Sequence, residues 1–178
     1  MSGPRWDIVI VGGGASGLLC AIYAGRKGRR VLVLEQGPKC GLKILVSGGG
    51  RCNFTKIWTD PRAHFLSANE QFCISALSRY TPWDFIALVE DNNIAYHEKK
   101  LGQQFCSHSA KDLLNMLLQQ ATAAGVEIKT RTQVRSIEAA ATGGFAVASG
   151  EHCFHADKVV LASGGLSMPK ISSDLAFR

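Results

Sequence analysis

Gly12-Gly13-Gly14-Ala15-Ser16-Gly17 constrains this chain more than any other feature, because of where it falls. It follows an apolar run of strand length, Trp6 to Val11, and opens a stretch in which Ala15, Ser16, Gly17, Ala21 and Ala24 recur at helical spacing to about Lys27. In a G-x-G-x-x-G turn the first glycine permits the bend, the second lets backbone approach a pyrophosphate, and the third lets helix pack closely on strand. Arg30 to Glu35 then supplies Val31-Leu32-Val33-Leu34, whose unbroken apolarity fits a parallel strand buried on both faces. Glu35 closes that strand about twenty residues beyond the turn, where a carboxylate can accept hydrogen bonds from ribose hydroxyls and disfavours a 2′-phosphate. Residues 6–35 therefore predict a βαβ unit built to hold a dinucleotide, with the helix amino terminus facing phosphate.

Beyond it, Gln36 to Thr59 shows little periodicity and reads as a functional loop around a second glycine cluster. Ser67 can cap a helix to about Tyr80, and Thr81-Pro82 sets a cap and an N1 proline before a helix from Trp83 to Asp91. Ile94 to His97 and Gln104 to Cys106 can pair as a hairpin across Lys99 to Gly102. Ser109 opens an amphipathic helix with Leu113, Leu114, Leu117 and Leu118 on one side, ended by Gly125. Strands are predicted at Val126 to Thr132, Val134 to Ile137, Phe145 to Ala148 and Lys158 to Ala162. The fold class is α/β, a Rossmann-type domain over residues 1–178.

With 46% hydrophobic and 19% charged residues, the chain is too apolar for disorder. Its formal charge of +6 has no accompanying stripe of basic and stacking aromatic residues, so nucleic acid is not an expected partner. No apolar run approaches the roughly 18 residues of a membrane span, and the expectation is a soluble cytoplasmic protein. Cys20, Cys40, Cys52, Cys73, Cys106 and Cys153 include no CxxC pair, and no metal site is predicted. His152 and His155 are separated by Cys153 on a strand, where alternation puts only His155 with the cysteine. His64, His97 and His108 read as surface or structural residues, and Trp6, Trp58 and Trp83 as core or staple contacts.

Two further backbone turns bear on the cofactor. Ser47-Gly48-Gly49-Gly50-Arg51-Cys52-Asn53 offers consecutive amides able to form an anion-binding nest, with Arg51 and Lys43 as nearby cations. It suits a second contact to a long dinucleotide and is superfluous for NAD alone, which favours FAD. Cys52 lacks a histidine or second cysteine at suitable spacing and is given no catalytic role. Lys158 to Gly165 places Ala162, Ser163 and Gly164 where a later strand's carboxyl end can reach the cofactor. No residue is assigned as a catalytic acid or base. Two readings stay open: a flavin-dependent oxidoreductase, or a non-catalytic Rossmann fragment that binds nucleotide weakly or needs another chain.

Val11 to Gly17, Glu35, Gly41 to Thr55, Phe72 to Glu98, Leu101 to Cys106 and Leu161 to Pro169 together resemble the BaiN/YhiN-like family of bacterial NAD(P)/FAD-dependent oxidoreductases. The stretch Lys43-Ile44-Leu45-Val46-Ser47-Gly48-Gly49-Gly50-Arg51-Cys52-Asn53 is its most specific match. The resemblance implies a three-layer, glutathione-reductase-like fold and FAD as cofactor. By it Gly12, Gly14 and Gly17 hold the pyrophosphate, Glu35 the ribose, and Ser47 to Asn53 the flavin end. The backbone of Val134 would meet adenine, and Ala162 to Gly165 would support the cofactor from the last strand. It further implies NAD(P)H as a hydride source for full-length members, a small organic substrate, and a length roughly twice this one, with a substrate domain beyond Arg178. Leu42 and Ser163 depart from the family's usual arginine and threonine.

Overall fold

The computed structural model describes residues 5–65, 68–69, 71–141 and 143–165. Along the chain run β1 (Arg5–Val11), α1 (Ala15–Arg26), β2 (Val31–Leu34), α2 (Leu42–Val46), a 3₁₀ turn (Ser47–Gly50), β3 (Asn53–Lys56), α3 (Ile74–Arg79) and α4 (Pro82–Asp91). They are followed by β4 (Tyr96–Glu98), β5 (Gln103–Cys106), α5 (Ala110–Ala123), β6 (Glu127–Lys129), β7 (Ser136–Ala139), β8 (Phe145–Ser149) and β9 (His152–Leu161). These form two compact units, one of Met1–Ile44 with Asn115–Arg178 and the other of Leu45–Leu114.

In the first unit a six-stranded sheet has the order β6-β2-β1-β9-β8-β7. The β6, β2, β1 and β9 strands are parallel, and β7, β8 and β9 form an antiparallel meander. β9 serves both: residues 152–156 pair with β8, and residues 155–161 with β1. The unbroken apolar runs are explained by the two faces they fill. Ile10, Val31 and Val33 join Ala21 of α1 in one cluster, whereas Val9, Val11, Leu32 and Leu34 join Val147 and Ala156 in another, with Ile137 and Phe154 packed against it. Helix, parallel sheet and meander therefore make three layers. All four β2 side chains are at most 1% exposed, and burying one valine or leucine contributes about 1.5–3 kcal/mol.

The predicted βαβ unit is present, but the last strand begins at His152 and not at Lys158. Its opening residues, His152 to Phe154, pair only with β8 and form no continuous apolar run, so the polar residues there masked the strand. The run from Val126 shortens to β6, and Val134 precedes β7. Cys153 Sγ lies 3.9 Å from His155 Nε2, as strand alternation required.

The second unit contains a three-stranded antiparallel sheet ordered β3-β5-β4. The predicted hairpin pairs Tyr96 to Glu98 with Gln104 to Cys106. Two elements replace part of the expected loop over Gln36 to Thr59: α2, and β3, which pairs with the free edge of β5. Short helix and strand lengths left no full period in the sequence to read. α4 starts as predicted, with Thr81 Oγ1 accepting from the Asp84 amide and Asp84 Oδ2 accepting from the Thr81 amide at 2.6 Å. α3 covers only Ile74–Arg79; Ser67, the predicted cap, lies outside the described residues. Trp6 is core, but Trp58 and Trp83 are 67% and 58% exposed and belong to no core. Among the described residues, no helix is long and apolar enough to cross a membrane.

Candidate functional site

The carboxyl ends of β1 and β9 lie side by side, with β2 on the other flank of β1. The chain passes from β1 to β2 on one flank while β9 lies on the other, so the strand order reverses at the junction of β1 with β9, the kind of position at which open α/β sheets hold ligands. Gly12 continues β1 with its amide donating to Leu34 O, and the Ala162 amide donates to Val11 O. A Cβ on Gly12, whose φ is +112°, would strike the Ala162 carbonyl, and one on Gly17 would strike the Gly12 carbonyl. Both glycines are thus required by the protein's own packing.

Gly14 is different. Its φ of −82° suits any residue, and a Cβ there would meet nothing within 4 Å. No side chain caps the α1 amino terminus that it begins, and the first turn holds no acidic residue. The amides of Ala15, Ser16 and Gly17 belong to the set that an α-helix leaves without an internal acceptor, and the helix dipole adds positive potential there. Open space over a glycine beside uncapped amides is a fit for the pyrophosphate of a dinucleotide.

Glu35 ends β2 with its carboxylate fixed by backbone: Oε2 accepts from the Gly13 amide at 2.8 Å and Oε1 from the Gly37 amide at 2.7 Å. Each oxygen retains a second lone pair for an outside donor. A Cβ on Gly13 would collide with Cys40 Sγ and crowd Glu35, so that glycine exists for the carboxylate's seat. Cys40 is buried beside it, and burial first, then the Glu35 charge, push its thiol up to about 11. Val134, beyond β6, turns its side chain into the core cluster with Leu34, in a segment tied to β2 by the Thr132 amide donating to Glu35 O.

After β9, Lys43 Nζ donates to Gly165 O at 2.7 Å and lies beside Gly164. The Ser163 hydroxyl is buried with no hydrogen-bond partner among the described residues. The first unit therefore brings Gly12, Gly14, Ala15, Ser16, Gly17, Glu35, Lys43, Val134, Ala162, Ser163 and Gly164 around the ends of β1, β2 and β9.

The remaining predicted residues lie in the second unit. Gly48, Gly49 and Gly50 have φ of 57°, 68° and 84°, successive left-handed positions that cost side-chain-bearing residues roughly 1–2 kcal/mol each. A Cβ on Gly48 would press on the Phe105 ring, whereas one on Gly49 would meet nothing within 4 Å. Asn53 pairs with Phe105, and His97 stacks on that ring at 6.3 Å with Lys99 over it at 5.2 Å. Burial raises the Cys52 thiol against a smaller opposing hydrogen bond with Ser47, so a reactive thiolate is disfavoured. Phe105 beneath the glycine turn, the Ser163 hydroxyl and the double anchoring of Glu35 were not foreseen; only Gly37, two residues past Glu35, carried a sequence hint.

The matching family is described as the HI0933-like protein Rossmann domain, over residues 6–177. The chain is 46% identical over 169 residues to a ribosomal RNA dihydrouridine synthase of Escherichia coli, covering 95% of this chain and 42% of that protein. It is 31% identical over 171 residues to a 3-dehydro-bile acid delta(4,6)-reductase of Clostridium scindens, covering 94% and 41%. It thus spans about two fifths of the length of the curated relatives it matches. Among solved structures, the 3-ketosteroid-delta4-(5alpha)-dehydrogenase of Rhodococcus jostii shares the fold with a TM-score of 0.67 at 19% identity, over 93% of this chain and 47% of that one. A Thermovibrio ammonificans THI4 structure does so with a TM-score of 0.60 at 18% identity, over 94% and 61%. The chain belongs to the HI0933-like family of FAD-binding oxidoreductases and has its Rossmann-type fold.

Proposed function

We propose that this chain is the FAD-binding portion of a flavin-dependent oxidoreductase whose substrate is a carbon–carbon double bond conjugated to a carbonyl, foremost a uracil ring of ribosomal RNA. The observation that carries the cofactor reading is the open space over Gly14 beside the uncapped α1 amino terminus. When bound, FAD supplies the hydride or electron transfer. The chain's own residues bind and orient it. Gly12, Gly14 and the amides of Ala15, Ser16 and Gly17 receive the pyrophosphate, Glu35 the ribose, the Val134 backbone the adenine, and Ala162 to Gly164 the cofactor's β9 side. Ser47 to Asn53 serve its flavin end in this reading.

The substrate reading rests on the names of two relatives of unlike substrates. Dihydrouridine differs from uridine by two hydrogens across a ring double bond adjacent to a carbonyl, and a delta(4,6)-reductase of a 3-dehydro-bile acid acts on double bonds conjugated to a ketone. Ribosomal uridine stands first because that relative has the higher identity. It replaces the small organic molecule expected from sequence and makes RNA the partner. The test incubates the chemically reduced, FAD-loaded protein with unmodified ribosomal RNA, and separately with a steroid enone, and weighs the products by mass spectrometry. Gain of two hydrogens on a uridine supports the reading. Gain on the enone alone keeps the bond class and discards RNA, and reduction of neither discards both.

A further inference from the structure

The second unit leaves one indole outside any core and yet fixes its place. Trp58 is 67% exposed, and a Cβ on Gly102 would strike its Cδ1 atom, so one side of the ring lies on the backbone of the turn between β4 and β5. The Ile57 amide donates to Gly102 O at 2.9 Å and ties the chain before Trp58 to that turn. A flat ring with one side on glycine and the rest in water is a stacking platform that needs little further ordering to bind. In the turn, Leu101 and Gly102 have φ of 51° and 76°, a pair of positions that favours Asn-Gly. Leu101 is strained there while its side chain is 74% exposed. Strain that serves no packing points to a functional segment.

The free charges around the ring are positive. Lys56 is opposite Gln103, two residues before Phe105 on β5, so strand alternation puts it on the face where Lys99 lies 5.2 Å over the Phe105 ring. Lys100 enters the turn, its carbonyl accepting from the Gln103 amide. Among the described residues, none of these three lysines has an ion pair. The neighbouring carboxylates are engaged by backbone: Glu98 Oε1 accepts from the Gly102 amide at 3.0 Å and Asp60 Oδ1 from the Arg62 amide at 2.7 Å. All of α3 and α4 separates Lys56 and Trp58 from Lys99 and Lys100 in sequence, and the pairing of β3 with β5 brings them to one end of the sheet. We propose that this end of the β3-β5-β4 sheet docks single-stranded RNA, a base stacking on Trp58 while Lys56, Lys99 and Lys100 meet the flanking phosphates. This rests on the reading of ribosomal RNA as partner and adds where the strand is held. Trp58 and Leu101 are too few to make the continuous apolar face that enters a bilayer, and the uncompensated lysines oppose pairing of this end with a second copy of itself.

Anisotropy of a fluorescein-labelled oligouridylate, titrated with the full chain at several salt concentrations, reads this surface without any flavin chemistry. Trp58→Ala is expected to weaken binding about tenfold with little change in salt dependence, the loss of one base stack. Trp58→Phe keeps a ring and is expected to retain most of the affinity. Lys56→Gln combined with Lys100→Gln is expected to weaken binding and to flatten the slope of log affinity against log salt by about 0.7 for each lysine removed. The lysine pair keeps the test open if Trp58→Ala fails to fold. Unchanged affinity in the lysine pair and in a folded Trp58→Ala protein, or a wild type that binds no oligouridylate, overturns the surface. Reduction of uridine by the FAD-loaded wild type, measured separately, then decides whether the RNA reading stands without it. Variants that lose binding to phosphatidylglycerol vesicles but keep oligouridylate overturn it in favour of a membrane, and loss of self-association with RNA affinity intact does so in favour of a second copy.

Discussion

At the residue scale, four glycines of one motif do different work. Gly12 and Gly17 are demanded by backbone contacts, Gly13 by the seat of Glu35, and only Gly14 faces open space. The motif's spacing and the acid that follows it were legible because they are local. The Phe105 ring under Gly48 was not, since it depends on a partner tens of residues away. The cysteines make a pH prediction. Burial, foremost, pushes the folded Cys40 and Cys106 thiols up to about 11 from 9.0. Between those values the unfolded chain has lost protons that the folded one keeps, so their contribution to stability is full below pH 9 and is lost as pH rises toward 11. Urea unfolding at pH 8 and pH 10.5, under reducing conditions, is expected to show a drop that shrinks in Cys40→Ala and Cys106→Ala. A wild-type midpoint that holds steady over this range would contradict the burial of both thiols.

At the element scale, signals that close within one turn of chain were readable. Thr81-Pro82 announced α4, and the structure adds a reciprocal pair of hydrogen bonds between Thr81 and Asp84. Replacing Thr81 with alanine is expected to cost about 1 kcal/mol, measurable as a shift of the denaturation midpoint, whereas Thr81→Ser should recover most of it. Equal stability of the alanine variant would mean that the cap contributes nothing. β3 and α2 escaped prediction for the opposite reason. β3 owes its existence to the edge of β5, with Asn53 opposite Phe105 and Lys56 opposite Gln103, and four residues with no apolar alternation announce no strand alone. The amino-terminal half of β9 was hidden similarly, its polar residues being placed by β8.

At the scale of the molecule, the sheet order β6-β2-β1-β9 creates the crevice, and chain geometry at its mouth creates the fit for a dinucleotide. The class of fold followed from one βαβ unit because a buried parallel sheet with a glycine turn has few other solutions. The division into two compact units did not, since no linker composition marks residues 45 and 114. Family membership supplies the FAD-binding oxidoreductase class, while the assignment of named residues to the cofactor rests on the geometry around Gly14. The most direct test is an absorbance titration of the purified protein with FAD, run beside Gly14→Ala. Wild type is expected to take up one FAD per chain with a shifted flavin spectrum. Gly14→Ala, whose new methyl meets nothing in the protein, is expected to melt at the wild-type temperature yet bind FAD at least about tenfold more weakly, a loss of some 1.4 kcal/mol. A folded wild type without FAD, or a Gly14→Ala variant that binds it as tightly as wild type, would contradict the site.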